Sequence, residues 1–288
     1  MDWIRKALMR EPRGHTDMYG AIITAPEKKD SDFGVLFMHN EGYSTMCGHG
    51  IIALVYTLVT TGVYPITKKS FKIDSPAGLI KAESVVEESK VTRVKFKNVP
   101  SFVFKPKCTI KPPVEFGTDE LSFDIVFGGA FYAYVDVTPL GLSLTPENAR
   151  KLSRLGFSLK KQIMASEPLK HPYEDDLAFL YGVIFYNRVS ENRYREVCIF
   201  ADGQVDRSPC GTGVSGLVAL LWHRGVISES QSVVVESILG GSFEGVACSE
   251  TTFGEYKAII PEISGCAGIV GKNEWFVDPN DYLNGGFL

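Results

Sequence analysis

Two cysteines of this 288-residue chain stand in the same local setting, Met46-Cys47-Gly48-His49-Gly50 and Pro209-Cys210-Gly211-Thr212-Gly213. Apolar residues at helical spacing follow each turn, Leu54, Val55 and Leu58 after the first and Leu217, Val218 and Leu221 after the second. A cysteine at a helix start lies among backbone N–H groups that have no intrahelical acceptor, and these donors with the helix dipole favour a thiolate. Glycine keeps side chains out of the way, so the next N–H groups can hold an anion such as a carboxylate. One such turn is compatible with a packing cysteine, a metal ligand or a nucleophile. Two turns facing each other suit a different chemistry. A carboxylate held by both would leave its α-carbon between two sulfurs. One thiolate would then remove the α-proton from one face while the opposing thiol protonates the other, inverting the stereocentre. The same N–H donors would hold the developing enolate charge, and the scheme needs no metal and no cofactor.

A single cysteine beside an apolar helix is ordinarily a small buried hydrophobe, and Cys108, Cys198, Cys248 and Cys266 are read that way. Only the repetition of C-G-x-G sets Cys47 and Cys210 apart. His49 is either a turn histidine or a hydrogen-bond partner of the substrate. Asp206 either caps a turn or pairs with Arg207, or it meets a substrate ammonium. His15, His39, His171 and His223 show no pairing, and Tyr173 to Asp176 reads as a solvated loop.

The elements that carry the turns repeat as well. The cysteines lie 163 positions apart, and the same offset superposes Val35-Leu36-Phe37 on Cys198-Ile199-Phe200, each a strand end, and Gly62-Val63 on Gly225-Val226, each a helix stop. Ser75 to Gly78 meets Ser237 to Gly240 after a slip of one residue, and strand-like sequence such as V-T-R-V-K-F-K-N-V and E-Y-K-A-I-I-P-E-I follows. The pattern predicts a duplication: two α+β domains related by a pseudo-twofold, over 1–118 and 119–269, with 270–288 returning to the first half. Phe123 to Asp136 reads as one long buried strand with a Gly-Gly bend, beginning 87 residues before Cys210, whereas only 46 residues precede Cys47. The first half is therefore expected to lack the matching strand. Asp2 to Met9 would be the helix after it, with Trp3, Ile4, Ala7 and Leu8 as its apolar face.

Composition narrows the partner. With a net charge of −4 and 44% hydrophobic residues, the chain reads as soluble and globular, and no basic run interleaved with aromatics suggests a nucleic acid or a membrane surface. The six cysteines never fall into C-x-x-C spacing, and the five histidines form no zinc pattern. Reduced thiols, a cytoplasmic setting and a small-molecule substrate are the expectation.

M-C-G-H-G at 46–50 and D-R-S-P-C-G-T-G at 206–213 resemble the two signatures of the proline racemase family, as do P-R-G-H-T-D-M-Y-G-A, F-A-D-G-Q-V-D-R-S-P and D-L-A-F-L-Y-G elsewhere. The resemblance implies the diaminopimelate epimerase-like fold, an interdomain active site, a homodimer and no cofactor. It implies Cys47 and Cys210 as the acid/base thiols and backbone donors around Gly48, His49, Gly211 and Thr212 as the carboxylate site. It also implies that the side chains of His49 and Asp206 contact the ring nitrogen and that Phe200 and Tyr19 wall the pocket, although the family often has Phe at the latter position. The expected activity is racemisation or epimerisation of proline or 4-hydroxyproline. Two departures temper this. The family opens with an H-T-G-G-E-P-like strand that this chain lacks, so an inactive paralogue or truncated fragment is one alternative. D-L-A-F-L-Y-G is closer to a branch that dehydrates trans-3-hydroxy-L-proline and replaces the second cysteine by threonine; the presence of Cys210 favours inversion.

Overall fold

The computed structural model describes residues 2–287 and divides the chain into two compact units, Met1–Val94 with Cys266–Leu288, and Lys95–Gly265. This differs from a division at 118/119. The strand Ser101–Ile110 pairs with Leu121–Phe127 and, through Phe102 and Ser101, with Ala258 and Ile259, so its ladder bonds hold it in the second unit.

The first unit runs α1 (Asp2–Met9), β1 (Tyr19–Thr24), β2 (Phe33–His39), β3 (Tyr43–Ser44), α2 (Gly48–Thr60), β4 (Ser70–Ser75), β5 (Gly78–Glu87) and β6 (Lys90–Lys97), the last containing the unit boundary. Its strand order is β1-β2-β4-β5-β6, with β3 on the β2 edge. In K-V-T-R-V-K-F-K alternation buries Val94 and Phe96 on one face and turns Lys95 and Lys97 to the other, where Val91 is buried as well. In α1 the buried residues are Arg5, Ala7 and Met9, so of the expected apolar face Ala7 is packed and Ile4 and Leu8 are half-buried, while Trp3 is 63% exposed. Arg5 is stretched across the unit: Nε donates to Asp2 (2.7 Å) and Nη1 to the carbonyls of His39 (3.1 Å) and Asn40. The C-terminal segment groups here too, with Arg13 Nη2 donating to the carbonyls of Leu283 and Asn284 and Glu11 bridging Phe287.

The second unit runs β7 (Ser101–Ile110), β8 (Leu121–Phe127), β9 (Phe131–Asp136), α3 (Ala149–Ser166), β10 (Leu180–Ser190), β11 (Arg193–Phe200), β12 (Gln204–Val205), α4 (Gly211–His223), β13 (Ser232–Glu236), β14 (Ser242–Phe253) and β15 (Tyr256–Gly265). Among the described residues the order β15-β14-β13-β11-β10-β9-β8-β7 closes on itself through the β15–β7 pairing, giving an eight-stranded barrel. Helix α4 is apolar all round and buried from Gly211 to Leu221, packing on β7, β8, β9, β14 and β15, as a helix threaded through a barrel must be. Helix α3 covers the outer face of β10 and β11, where Leu152, Leu155, Leu159 and Ile163 meet Val197 and Ile199. Strand alternation then turns Glu196, Cys198 and Phe200 to the opposite face of β11.

Phe123 to Asp136 is not one strand. It is the hairpin β8–β9, paired antiparallel from Asp124↔Tyr134 to Phe127↔Phe131, because Gly129 takes φ 107° and reverses the chain.

The repeat has a topological counterpart. In each unit an antiparallel pair (β1–β2, β10–β11) leads through a two-residue edge strand and a 13-residue helix to a strand parallel to the second member (β2–β4, β11–β13), followed by an antiparallel partner. Both helices stop the same way. Gly62 (φ 77°) and Gly225 (φ 67°) lie in the left-handed region and donate to Val59 and Trp222 carbonyls.

Candidate active site

In the first unit Cys47 is the N-cap of α2. Its extended backbone (φ −145°, ψ 109°) turns Sγ to accept the Gly50 N–H at 3.3 Å. The second glycine of the turn is a spatial requirement, since a Cβ on Gly50 would lie 2.6 Å from the Phe37 ring and 3.2 Å from Cys47 Sγ. Gly48 is the first helical residue. His49 packs edge-on against Tyr19 with ring centroids 5.2 Å apart, and Tyr19 stacks on His39, its register partner across β1–β2. Tyr19, Cys47, Gly48 and His49 thus form one group.

The second unit carries Phe200, Asp206, Cys210, Gly211 and Thr212. Gly213 repeats the steric role of Gly50: a Cβ there would meet Ile184 Cδ1 at 2.6 Å and Cys210 Cβ at 3.0 Å. Phe200 stacks on Tyr181 at 5.8 Å and 8°. The N–H of Asp206 donates to the Cys198 carbonyl (2.9 Å), and its Oδ1 accepts from the N–H and the hydroxyl of Ser208, the side-chain turn expected of an aspartate here.

Cys210 is the N-cap of α4, but no helix N–H donates to its sulfur. The donors are side chains. Thr212 Oγ1 lies 3.5 Å and Tyr132 Oη 3.6 Å from the sulfur, and the two hydroxyls bond each other at 2.7 Å. Cys198, helped by Thr212 and Tyr132 and opposed by burial and the Asp206 charge, brings the Cys210 thiol from 9.0 down to about 7. Burial pushes the Cys198 thiol well up, and the proximity of Cys210 adds to this. Helix-terminal donors were the expected cause of an acidic thiol; neighbouring side chains supply it instead.

Glu196 completes the surroundings. Its Oε1 accepts the Cys210 N–H at 2.8 Å, and its Oε2 is buried with no hydrogen-bond partner among the described residues. Burial, followed by the nearby Cys210 charge, raises its carboxyl well above the ordinary range. A buried, half-partnered carboxylate would be costly, whereas the neutral acid is tolerated.

Cys198, Tyr132 and Glu196 were not singled out from sequence. Cys198, which the sequence reads as packing, is buried (1% exposed). Cys108 is buried as expected, whereas Cys248 is half-buried and Cys266 exposed, because Cys266 follows the end of β15. The missed signal is E-V-C-I-F: a glutamate in an apolar run places Glu196, Cys198 and Phe200 on one strand face, ten to fourteen residues before a cysteine turn. A separate cavity of about 500 Å³, lined by Asp124, Tyr134, Asp136, Tyr186 and Arg224 among others, includes none of the candidate residues. Among the described residues no cluster of three or more His, Cys, Asp or Glu could hold a metal ion, and no helix is long and apolar enough to cross a membrane.

The family model for proline racemase matches residues 1–288. A trans-3-hydroxy-L-proline dehydratase of Bacillus cereus is 46% identical over 292 residues, covering 100% of this chain and 86% of its own length. A 3-hydroxyproline 2-epimerase of Burkholderia multivorans is 43% identical with the same coverage. Among solved structures, a hydroxyproline epimerase from Agrobacterium vitis with bound trans-4-hydroxy-L-proline has a TM-score of 0.92 at 29% identity, over 100% of this chain and 82% of that one. A PhzF-family phenazine biosynthesis protein of Bacillus anthracis, at 14% identity and a TM-score of 0.60 over 90% of this chain and 84% of its own, shares the fold alone. The fold is α+β, of the diaminopimelate epimerase-like class.

Proposed function

The chain belongs to the proline racemase family and is an enzyme of the isomerase type, and on that premise we propose that it inverts Cα of a proline-type cyclic imino acid with Cys47 and Cys210 as opposed acid/base thiols. The observation that carries the reading is the duplicated C-G-x-G helix start, with Cys47 as the N-cap of α2 and Cys210 as the N-cap of the buried α4. In this scheme the substrate carboxylate takes the N–H groups of Gly48, His49, Gly211 and Thr212, leaving Cα between the sulfurs. A thiolate removes the α-proton, the N–H donors hold the negative charge that develops on the carboxylate, and the opposite thiol returns a proton to the other face. His49 and Asp206 receive the ring nitrogen, and Tyr19 and Phe200 bound the ring. Proline and 4-hydroxyproline remain candidate substrates, and the names of the relatives add 3-hydroxyproline. The reading carries with it a cytoplasmic homodimer and no cofactor.

A second reading is favoured by the relatives named trans-3-hydroxy-L-proline dehydratase. It shares the first step. After Cys47 removes the α-proton, the C3 hydroxyl leaves as water before Cα is reprotonated, and the product rearranges to a ketimine. Incubating the protein in D₂O with L-proline, trans-4-hydroxy-L-proline and trans-3-hydroxy-L-proline separates the two. Chiral separation is expected to show the Cα epimer carrying deuterium. Ketimine from the 3-hydroxy substrate that persists in Cys210→Thr supports dehydration instead, and folded protein that exchanges none of the three contradicts both.

A further inference from the structure

The barrel of the second unit has two ends, and the proton-transfer scheme uses one of them. Helix α4 runs through it from Cys210, its N-cap, to Arg224, its C-cap, and the helical rise separates the two by about 20 Å. At the Arg224 end lies the cavity of about 500 Å³, a size within the roughly 300–1,000 Å³ that small-molecule sites occupy. Strand alternation builds it. Tyr132, Tyr134 and Asp136 share one face of β9, as Ser122 and Asp124 share one face of β8; Tyr132 reaches Cys210, and the others line the cavity.

Its polar groups are of both signs and incompletely matched. Arg224 Nη1 donates to Tyr186 Oη at 2.9 Å and Nη2 to Asp124 Oδ2 at 2.5 Å. A guanidinium carries five N–H donors, so the remaining three have no acceptor among the described residues, and the Tyr186 hydroxyl, having accepted, still has its own proton to give. Asp136 stands opposite Tyr186 in the β9–β10 register. Its Oδ1 accepts the Thr138 N–H at 2.9 Å, and its second oxygen has no donor among the described residues. Tyr134 takes no part, because its hydroxyl is turned to the Gly213 carbonyl at 2.7 Å. Phe116, Leu121, Pro139 and Leu140 supply an apolar wall.

We propose that this cavity is a binding site for an α-amino acid with a large apolar side chain. The carboxylate takes the spare donors of Arg224 and Tyr186, the ammonium takes Asp136, and the side chain lies on the wall formed by Phe116 and Leu140. Simpler ligands fit less well. Glu120, Asp124 and Asp136 face a single base, so a carboxylate without an ammonium is repelled, and an amine without a carboxylate leaves the donors of Arg224 and Tyr186 unmet. The wall and the volume call for a side chain larger than the ring of an imino acid.

The probe is L-phenylalanine, titrated calorimetrically into the full chain. It is expected to bind saturably at one site per chain, with Cys210 alkylated by iodoacetamide at the same rate in its presence and absence. Phenylalanine methyl ester, which lacks the carboxylate, and 3-phenylpropionate, which lacks the ammonium, should each bind about 10- to 100-fold more weakly, as should L-phenylalanine itself to Asp136→Asn and Arg224→Gln. The two analogues act on the unaltered protein and Asp136 is exposed, so the test does not depend on the folding of the Arg224 variant. Absence of saturable binding, binding indifferent to the ester or to Asp136→Asn, or binding that protects Cys210 from alkylation overturns the proposal. None of these outcomes depends on whether Cys210 exchanges an α-proton.

Discussion

Replacing Cys198 by alanine removes the first of the side-chain donors to Cys210 and should return that thiol toward ordinary acidity. The fall from 9.0 to about 7 amounts to roughly 3 kcal/mol in favour of the thiolate at about 1.4 kcal/mol per unit. A hydrogen bond to a charged group is worth about 1.5–3 kcal/mol, so losing it should raise the titration by about one to two units. At pH 7 the thiolate fraction would drop from about one half to between about a tenth and a hundredth, a fall of about 5- to 50-fold. The sign follows from the acid: the thiolate is the reactive form, so reactivity climbs with pH through about 7 in the wild type and through a higher value in the variant. The assay is the rate of iodoacetamide alkylation at the Cys210 peptide across pH. Cys198→Ser keeps a donor and should titrate close to the wild type. Alkylation of folded Cys198→Ala with an unchanged midpoint would refute the assignment of Cys198 as the cause.

Three further outcomes follow from the same surroundings. Glu196→Gln keeps an oxygen for the Cys210 N–H, and because the acid is held neutral, the alkylation midpoint should stay in place; a midpoint that drops would reveal that Glu196 had been ionised. Gly213→Ala drives a methyl to 2.6 Å from Ile184 Cδ1 and should cost about 1–3 kcal/mol in urea unfolding, with an unchanged midpoint counting against the steric role of the turn. Arg224→Met leaves Asp124, 6% exposed, without the guanidinium that bonds it at 2.5 Å, and should cost roughly 3 kcal/mol while the Cys210 alkylation profile is unmoved.

The repeat was legible in the sequence because it was written in residue types with sharp physical preferences. Glycines at 50 and 213 answer a steric demand and those at 62 and 225 a left-handed turn, so the helix start, the helix stop and the strand before them could all be placed. What escaped was long-range. Phe123 to Asp136 is apolar throughout, and a Gly-Gly pair inside such a run reads equally as a bend or a reversal; the antiparallel ladder decides for reversal. Ser101–Ile110 was grouped with the first half because nothing local records that Phe102 pairs with Ala258 across more than 150 residues. Cys198 was passed over for a related reason. A buried cysteine in a strand is ordinary until the tertiary structure sets it beside a second sulfur, whereas the alternation of E-V-C-I-F already placed it on the face of Glu196.

The central claim is that Cys47 and Cys210 are the two acid/base groups of one proton-transfer reaction. Deuterium incorporation at Cα, followed by mass spectrometry in D₂O for both enantiomeric series of proline, 4-hydroxyproline and 3-hydroxyproline, tests it most directly. The wild type should label at least one pair of epimers and interconvert them, and Cys47→Ser and Cys210→Ser should each abolish interconversion while remaining folded. Interconversion that survives either substitution would contradict the account.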